Sequence, residues 1–107
     1  MKNLLEETCE ILFEHKKMTA DVKFVAVKLG SHGTDMCKGT WKDFQAISNF
    51  TYDDGYGGNE INSSLVVVGD NWWLERNEYD GSEWWEFKTI PTEPVNSFPL
   101  SVEIIKA

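Results

Sequence analysis

The stretch from Trp72 to Thr89 constrains this chain more than any other: two runs rich in tryptophan, tyrosine and phenylalanine flank the dipeptide Asp80-Gly81. A two-residue type I′ turn needs positive φ at both positions, and Asp-Gly is one of the pairs that tolerates it. The segment therefore predicts a tight antiparallel hairpin, Trp72 to Tyr79 against Ser82 to Thr89. Such a turn fixes the register: Tyr79 opposes Ser82, Arg76 opposes Trp85, Leu74 opposes Phe87 and Trp72 opposes Thr89. Side chains alternate, so Trp72, Leu74, Arg76, Glu78, Glu83, Trp85 and Phe87 share the face expected to pack on helices. Trp73, Glu75, Asn77, Tyr79, Ser82, Trp84, Glu86 and Lys88 share the other face. That mixture of aromatic and acidic residues is the candidate interaction surface.

The rest of the chain supplies partners for this hairpin. Leu4, Leu5, Thr8, Cys9, Ile11, Leu12 and His15 recur at three- and four-residue intervals, which predicts an amphipathic helix over residues 2–17. The β-branched run Val22 to Leu29 predicts a strand, closed by Gly30-Ser31-His32-Gly33. Thr40 followed by Asp43 has the pattern of a capping box and opens a short helix over 41–48. Residues 52–60, with three glycines and no periodicity, read as a loop. Leu65 to Val68 is a buried strand, Pro91, Pro94 and Pro99 mark an irregular connection, and Leu100 to Ile105 alternates as a last strand. The order predicts one α+β domain over residues 1–107: two N-terminal helices packed on one face of a mostly antiparallel, twisted sheet of about five strands.

Charge narrows the choice of partner. The formal net charge is −8, and residues 1–48 contribute none of it, with seven lysines against seven acids. Nine of the eleven acids in the remainder lie between Asp53 and Glu86, relieved only by Arg76. Such a surface repels nucleic-acid phosphate and anionic lipid and attracts basic protein grooves. Aromatic rings stack bases in single-strand-binding proteins, but those proteins add a basic groove, and this hairpin has acids instead. Rings framed by carboxylates suit a protein partner rich in Arg and Lys. The plainer reading of the same acids is that they aid solubility, and the aromatic rings themselves are open to cover by the termini or by residues 91–99.

No reactive constellation is visible. The one local cluster of metal-ligand types is His32, Asp35 and Cys37, without a CxxC or HxxxH pair, so no metal or cofactor is expected. Asp53-Asp54-Gly55 lacks the alternating ligands of an EF-hand. Glu75 facing Glu86 is the nearest thing to an acid and base pair, on a surface without an evident cleft. Ser63, Ser64 and Ser82 sit in no nucleophile elbow, and Gly55 to Gly58 lack the lysine of a P-loop. The longest apolar runs fall far short of the roughly 20 residues that span a bilayer, and acids interrupt the N-terminus where a signal peptide is apolar. The expectation is a cytoplasmic protein with Cys9 and Cys37 as reduced thiols.

Tyr52-Asp-Asp-Gly-Tyr-Gly-Gly-Asn-Glu60, Leu65-Val-Val-Val-Gly-Asp-Asn-Trp-Trp-Leu-Glu-Arg76 and Glu78-Tyr-Asp-Gly-Ser-Glu-Trp-Trp-Glu-Phe87 resemble small acidic proteins carried by phages and other mobile elements of Gram-positive bacteria. They are also similar to a type II-A anti-CRISPR family, whose members inhibit the RNA-guided nuclease. The resemblance covers about residues 50–90 and implies a small α+β domain, stoichiometric inhibition and no catalytic residues.

The sequence thus points to a non-enzymatic binding protein that occupies the basic groove of a nucleic-acid-processing partner, in particular a type II CRISPR effector nuclease. It binds neither nucleic acid nor membrane directly in this reading. The partner-binding residues are Asp53, Asp54, Trp73, Glu75, Glu78, Tyr79, Asp80, Glu83, Trp84 and Glu86. The alternatives are a small enzyme with a surface carboxylate site and a structural or assembly subunit whose exposed aromatics pair with themselves.

Overall fold

The computed structural model describes residues 1–55 and 58–103. In chain order the elements are β1 (Lys2–Asn3), α1 (Leu4–Glu14), a single 3₁₀ turn (Thr19–Asp21), β2 (Phe24–Leu29), β3 (Asp35–Gly39), α2 (Trp41–Ser48), β4 (Thr51–Tyr52), β5 (Val66–Val68), β6 (Trp72–Tyr79) and β7 (Ser82–Thr89). The fold is α+β. Five strands form one antiparallel sheet in the order β3-β2-β5-β6-β7, and β1 pairs with β4 in a separate two-stranded ladder.

The hairpin forms in the register that its turn dictates, from Tyr79 opposite Ser82 to Trp72 opposite Thr89. Asp80 and Gly81 both take positive φ, 50° and 85°. The preceding turn depends on a different glycine. A Cβ at Gly69 would stand 2.0 Å from the Trp72 indole, so only glycine lets the ring fold back over the β5–β6 connection.

Both helices are capped as their sequences ask, but α1 is shorter than its periodicity. Asn3 accepts the Glu6 N–H at 3.0 Å and opens the helix two residues late, because Lys2 and Asn3 are paired with Tyr52 and Thr51. At the other end Lys16 turns left-handed, φ 58°, and Lys17 and Lys16 donate back to the carbonyls of Leu12 and Phe13. This closes a Schellman motif before the two lysines join the helix. For α2, Thr40 and Asp43 bond each other's backbone N–H groups at 3.2 and 2.8 Å, the expected capping box.

Two expectations about strands are corrected. Residues 35–39, for which the sequence predicts no element, form β3, an edge strand held to β2 by a turn with Gly30 and Gly33 at positive φ. Its side chains are nearly all exposed, so it lacks the alternation that marks a half-buried strand. The expected strand over 100–105 has no regular structure at Leu100–Glu103, and Ile104 and Ile105 lie outside the described residues. The sheet reaches five strands through β3 instead.

Val25, Val67 and Leu74 lie side by side across β2, β5 and β6 and are buried with Trp72 and Trp85. Leu4 and Leu12 of α1, Phe44 of α2, Tyr52 and Ile61 complete the same cluster. A buried polar chain ties α1 to the hairpin: Trp85 Nε1 donates to Thr8 Oγ1 at 2.9 Å, and that hydroxyl donates to the Leu4 carbonyl at 2.7 Å.

Candidate functional site

Strand parity sends Arg76 and Glu83 inward, and the two meet there. The Arg76 guanidinium lies 3.1 Å from Glu83, 3.4 Å from Glu7 of α1 and 2.9 Å from the Tyr52 hydroxyl, which itself donates to Glu7. It also sits over the Trp85 ring, 4.8 Å from the centroid. Burial works against the charged guanidinium, but the Tyr52 hydrogen bond and the Glu7 and Glu83 carboxylates outweigh it and raise the Arg76 pKa. The Tyr52 phenol is pushed well above its usual range, first by burial and then by its bond to Glu7.

This arrangement corrects one expected partner-binding residue. Glu83 is only 3% exposed, and besides Arg76 it accepts the backbone N–H groups of Glu60 (2.7 Å) and Ile61 (3.2 Å). It is a structural anchor that ties the 53–61 loop to the hairpin. The loop is fastened a second time where the Glu83 N–H donates to the Asp54 carbonyl at 2.9 Å. Asp53 and Asp54 are thereby held beside the turn end of β7, with Lys2 3.9 Å from the Asp54 carboxylate.

The other expected residues divide into two groups. Glu78, Tyr79 and Asp80 are exposed at the hairpin tip, where Tyr79 keeps 78% of its surface. Trp73, Glu75, Trp84 and Glu86 are half-buried on the sheet face opposite Leu74 and Trp85. Trp73 Nε1 donates to Glu75 at 2.9 Å, and Asn77 Nδ2 donates to Glu86 at 2.6 Å, with Lys88 3.2 Å from that carboxylate. The Asn77 and Lys88 bonds hold Glu86 below the usual carboxylate range, opposite to the shift a general acid needs. Cross-strand pairing continues this face inward through Val66, Val68, Ala26 and Phe24.

A cleft between α1 and β7 is the feature that sequence reasoning missed. Lys2, Glu7, Glu10, Ile11, Glu14, Trp84 and Trp85 line about 160 Å³ of it, and Glu6 lines an adjoining hollow with Glu7 and Glu10. Glu6, Glu10 and Glu14 are exposed. Their four-residue spacing was legible as one helical stripe, but its position beside β7 is a tertiary fact. Trp84 thus shares a cleft with Glu10 and Glu14 and a sheet face with Glu86.

Of the metal-ligand types named from sequence, His32 is exposed in the β2–β3 turn, and Asp35 and Cys37 fall on β3. Elsewhere the His15 ring stacks on Phe87 with centroids 4.0 Å apart. Among the described residues, no group of three or more His, Cys, Asp and Glu side chains is placed to hold a metal ion. Partial burial, reinforced by Glu10, raises the pKa of the Cys9 thiol. No helix among the described residues is long and apolar enough to cross a membrane. No protein-family model, curated protein or solved structure matches the chain.

Proposed function

We propose that this chain is a non-catalytic binding protein that seats an Arg- and Lys-rich surface of a nucleic-acid-processing partner and blocks it. The observation that carries this reading is Trp84: a half-buried aromatic side chain on β7, with Glu86 on its sheet face and with Glu10 and Glu14 lining the cleft beside its strand. Anchors of this kind gain from desolvation while surrounding charges steer the approach. In the same reading the two helices cover one face of the sheet, so the acids of α1 and of β7 converge along one border. Asp53, Asp54, Glu78 and Asp80 extend that border toward the hairpin tip, and Trp73 and Glu75 extend it across the open face.

A phosphate backbone is repelled by such a surface, so the partner is a protein that handles nucleic acid rather than the nucleic acid itself. The resemblance over residues 50–90 suggests a type II RNA-guided nuclease, met in the cytoplasm and inhibited stoichiometrically. Capture from a host carrying such a system tests this reading. Wild-type protein is expected to recover the effector nuclease and a Glu10→Lys/Glu14→Lys variant to lose it. Equal recovery by both, or a partner without a basic surface, would sink the proposal.

A further inference from the structure

Among the described residues, the C-terminal segment is the most exposed apolar part. Val95, Phe98, Leu100 and Val102 keep 85–96% of their surface, although Leu100 to Glu103 has the alternation of a strand. At the far edge of the sheet, β3 pairs only with β2 among the described strands. The Lys28 N–H donates at 2.8 Å to Ser64 Oγ on the β5 side. Met36, directly opposite Lys28, therefore turns its amide away from β2, and alternation does the same for Lys38. Two rungs of an open ladder face outward there.

Beside that open edge is an apolar groove of about 220 Å³, lined among others by Val25, Val27, Cys37, Phe44, Ile47 and Leu65. We propose that residues 100–103 of a second copy of this chain add to β3 as an antiparallel strand, with the exchange made reciprocally. With Ser101 opposite Lys38 and Glu103 opposite Met36, the outward amides of β3 are paired. Leu100 then lies against Gly39 and Val102 against Cys37, and both enter the groove. The polar side of the added strand falls on the Lys28 and Lys38 side of the sheet, where Glu103 meets opposite charge. Pro99, which has no N–H to give, falls beyond the end of β3.

The tail leaves from β7, the opposite edge, roughly 19 Å from β3 across four strand spacings, and in the single chain Leu100 and Val102 stand in solvent and not on β3. Exchange between two copies closes both β3 edges at once, as a two-fold pair requires. The proposal is independent of the acidic cleft, which lies at the other edge of the sheet.

Light scattering on the purified full chain is expected to give twice the single-chain mass at tens of micromolar. Leu100→Asp/Val102→Asp is expected to return the mass of one chain while the domain still unfolds cooperatively, since both side chains stand in solvent in the single chain. A Cys9→Ser/Val102→Cys variant keeps Cys37 and is expected to form a chain-to-chain disulfide on mild oxidation. A single-chain mass for the unaltered protein, a dimer that survives the two aspartates, or a Cys37–102 link within one chain would each overturn the proposal.

Discussion

Arg76 and Glu83 meet 3.1 Å apart beneath the β6–β7 hairpin, their side chains 1% and 2% exposed. Two adjacent strands thus bring a cation and an anion inside, where each is tolerated only because of the other and of Glu7 and Tyr52. Removing one partner strands the rest. Arg76→Met is expected to cost about 3–5 kcal/mol of folding stability, measured by urea unfolding. Glu83→Gln is expected to lose less but to loosen the 53–61 loop, seen as faster hydrogen exchange at the Glu60 and Ile61 amides. Wild-type stability in Arg76→Met would contradict this account.

Tyr52 gives the network a signature at high pH. Its folded pKa is raised above the ordinary value of 10.0, so the neutral phenol is favoured by folding. The associated stability is present in full below pH 10 and is lost as the pH climbs from there toward the folded pKa. Absorbance titration is expected to show a phenol that ionises only as the protein unfolds, and Tyr52→Phe is expected to flatten the alkaline decline. An unfolding midpoint with the same alkaline slope in both proteins would refute the assignment.

What was legible in the sequence follows from how local each cause is. The Asp80-Gly81 turn sets the parity of sixteen residues, so the hairpin register and the split between Trp72 and Trp73 could be read directly. Thr40 and Asp43 gave α2 for the same reason. Lys16, by contrast, ends α1 in a left-handed conformation that favours glycine, and nothing local marks it. β3 has no buried face to impose a pattern. Parity puts Glu83 on the core-facing side, diagonal to Arg76, but the Glu60 and Ile61 N–H groups that complete its shell come from a loop that no short-range pattern places. The Glu10 and Glu14 cleft depends on the docking of α1, which no short-range pattern encodes.

The core itself makes a sharper demand at two positions. Leu74 is fully buried on β6, between β5 and β7, so Leu74→Ala is expected to cost about 2–5 kcal/mol in denaturant unfolding. Gly69→Ala places a methyl against the Trp72 ring and is expected to cost on the order of 1–3 kcal/mol and to alter tryptophan fluorescence. A Gly69→Ala protein with unchanged fluorescence and midpoint would contradict the close approach of the ring to Gly69.

Charge reversal on α1 should leave the fold alone. Glu10 and Glu14 are exposed, and exposed substitutions of this kind typically stay within about 0.5 kcal/mol. Glu10→Lys/Glu14→Lys is therefore expected to melt close to wild type, so that any lost binding reflects the surface. A midpoint lowered by many degrees would mean that these acids are structural.

The central claim is that the carboxylates of the α1–β7 border steer a basic partner onto Trp84. The most direct test is the association rate of the captured partner, followed by stopped flow over increasing ionic strength. The account predicts that the rate falls steeply as salt screens the field, and that Glu10→Lys/Glu14→Lys lowers it further. Trp84→Ala is predicted to leave association nearly unchanged and to speed dissociation by tenfold or more, on the order of a hot-spot loss. An association rate indifferent to salt and to the two lysines would contradict the account and leave the acidic border as a solubility feature.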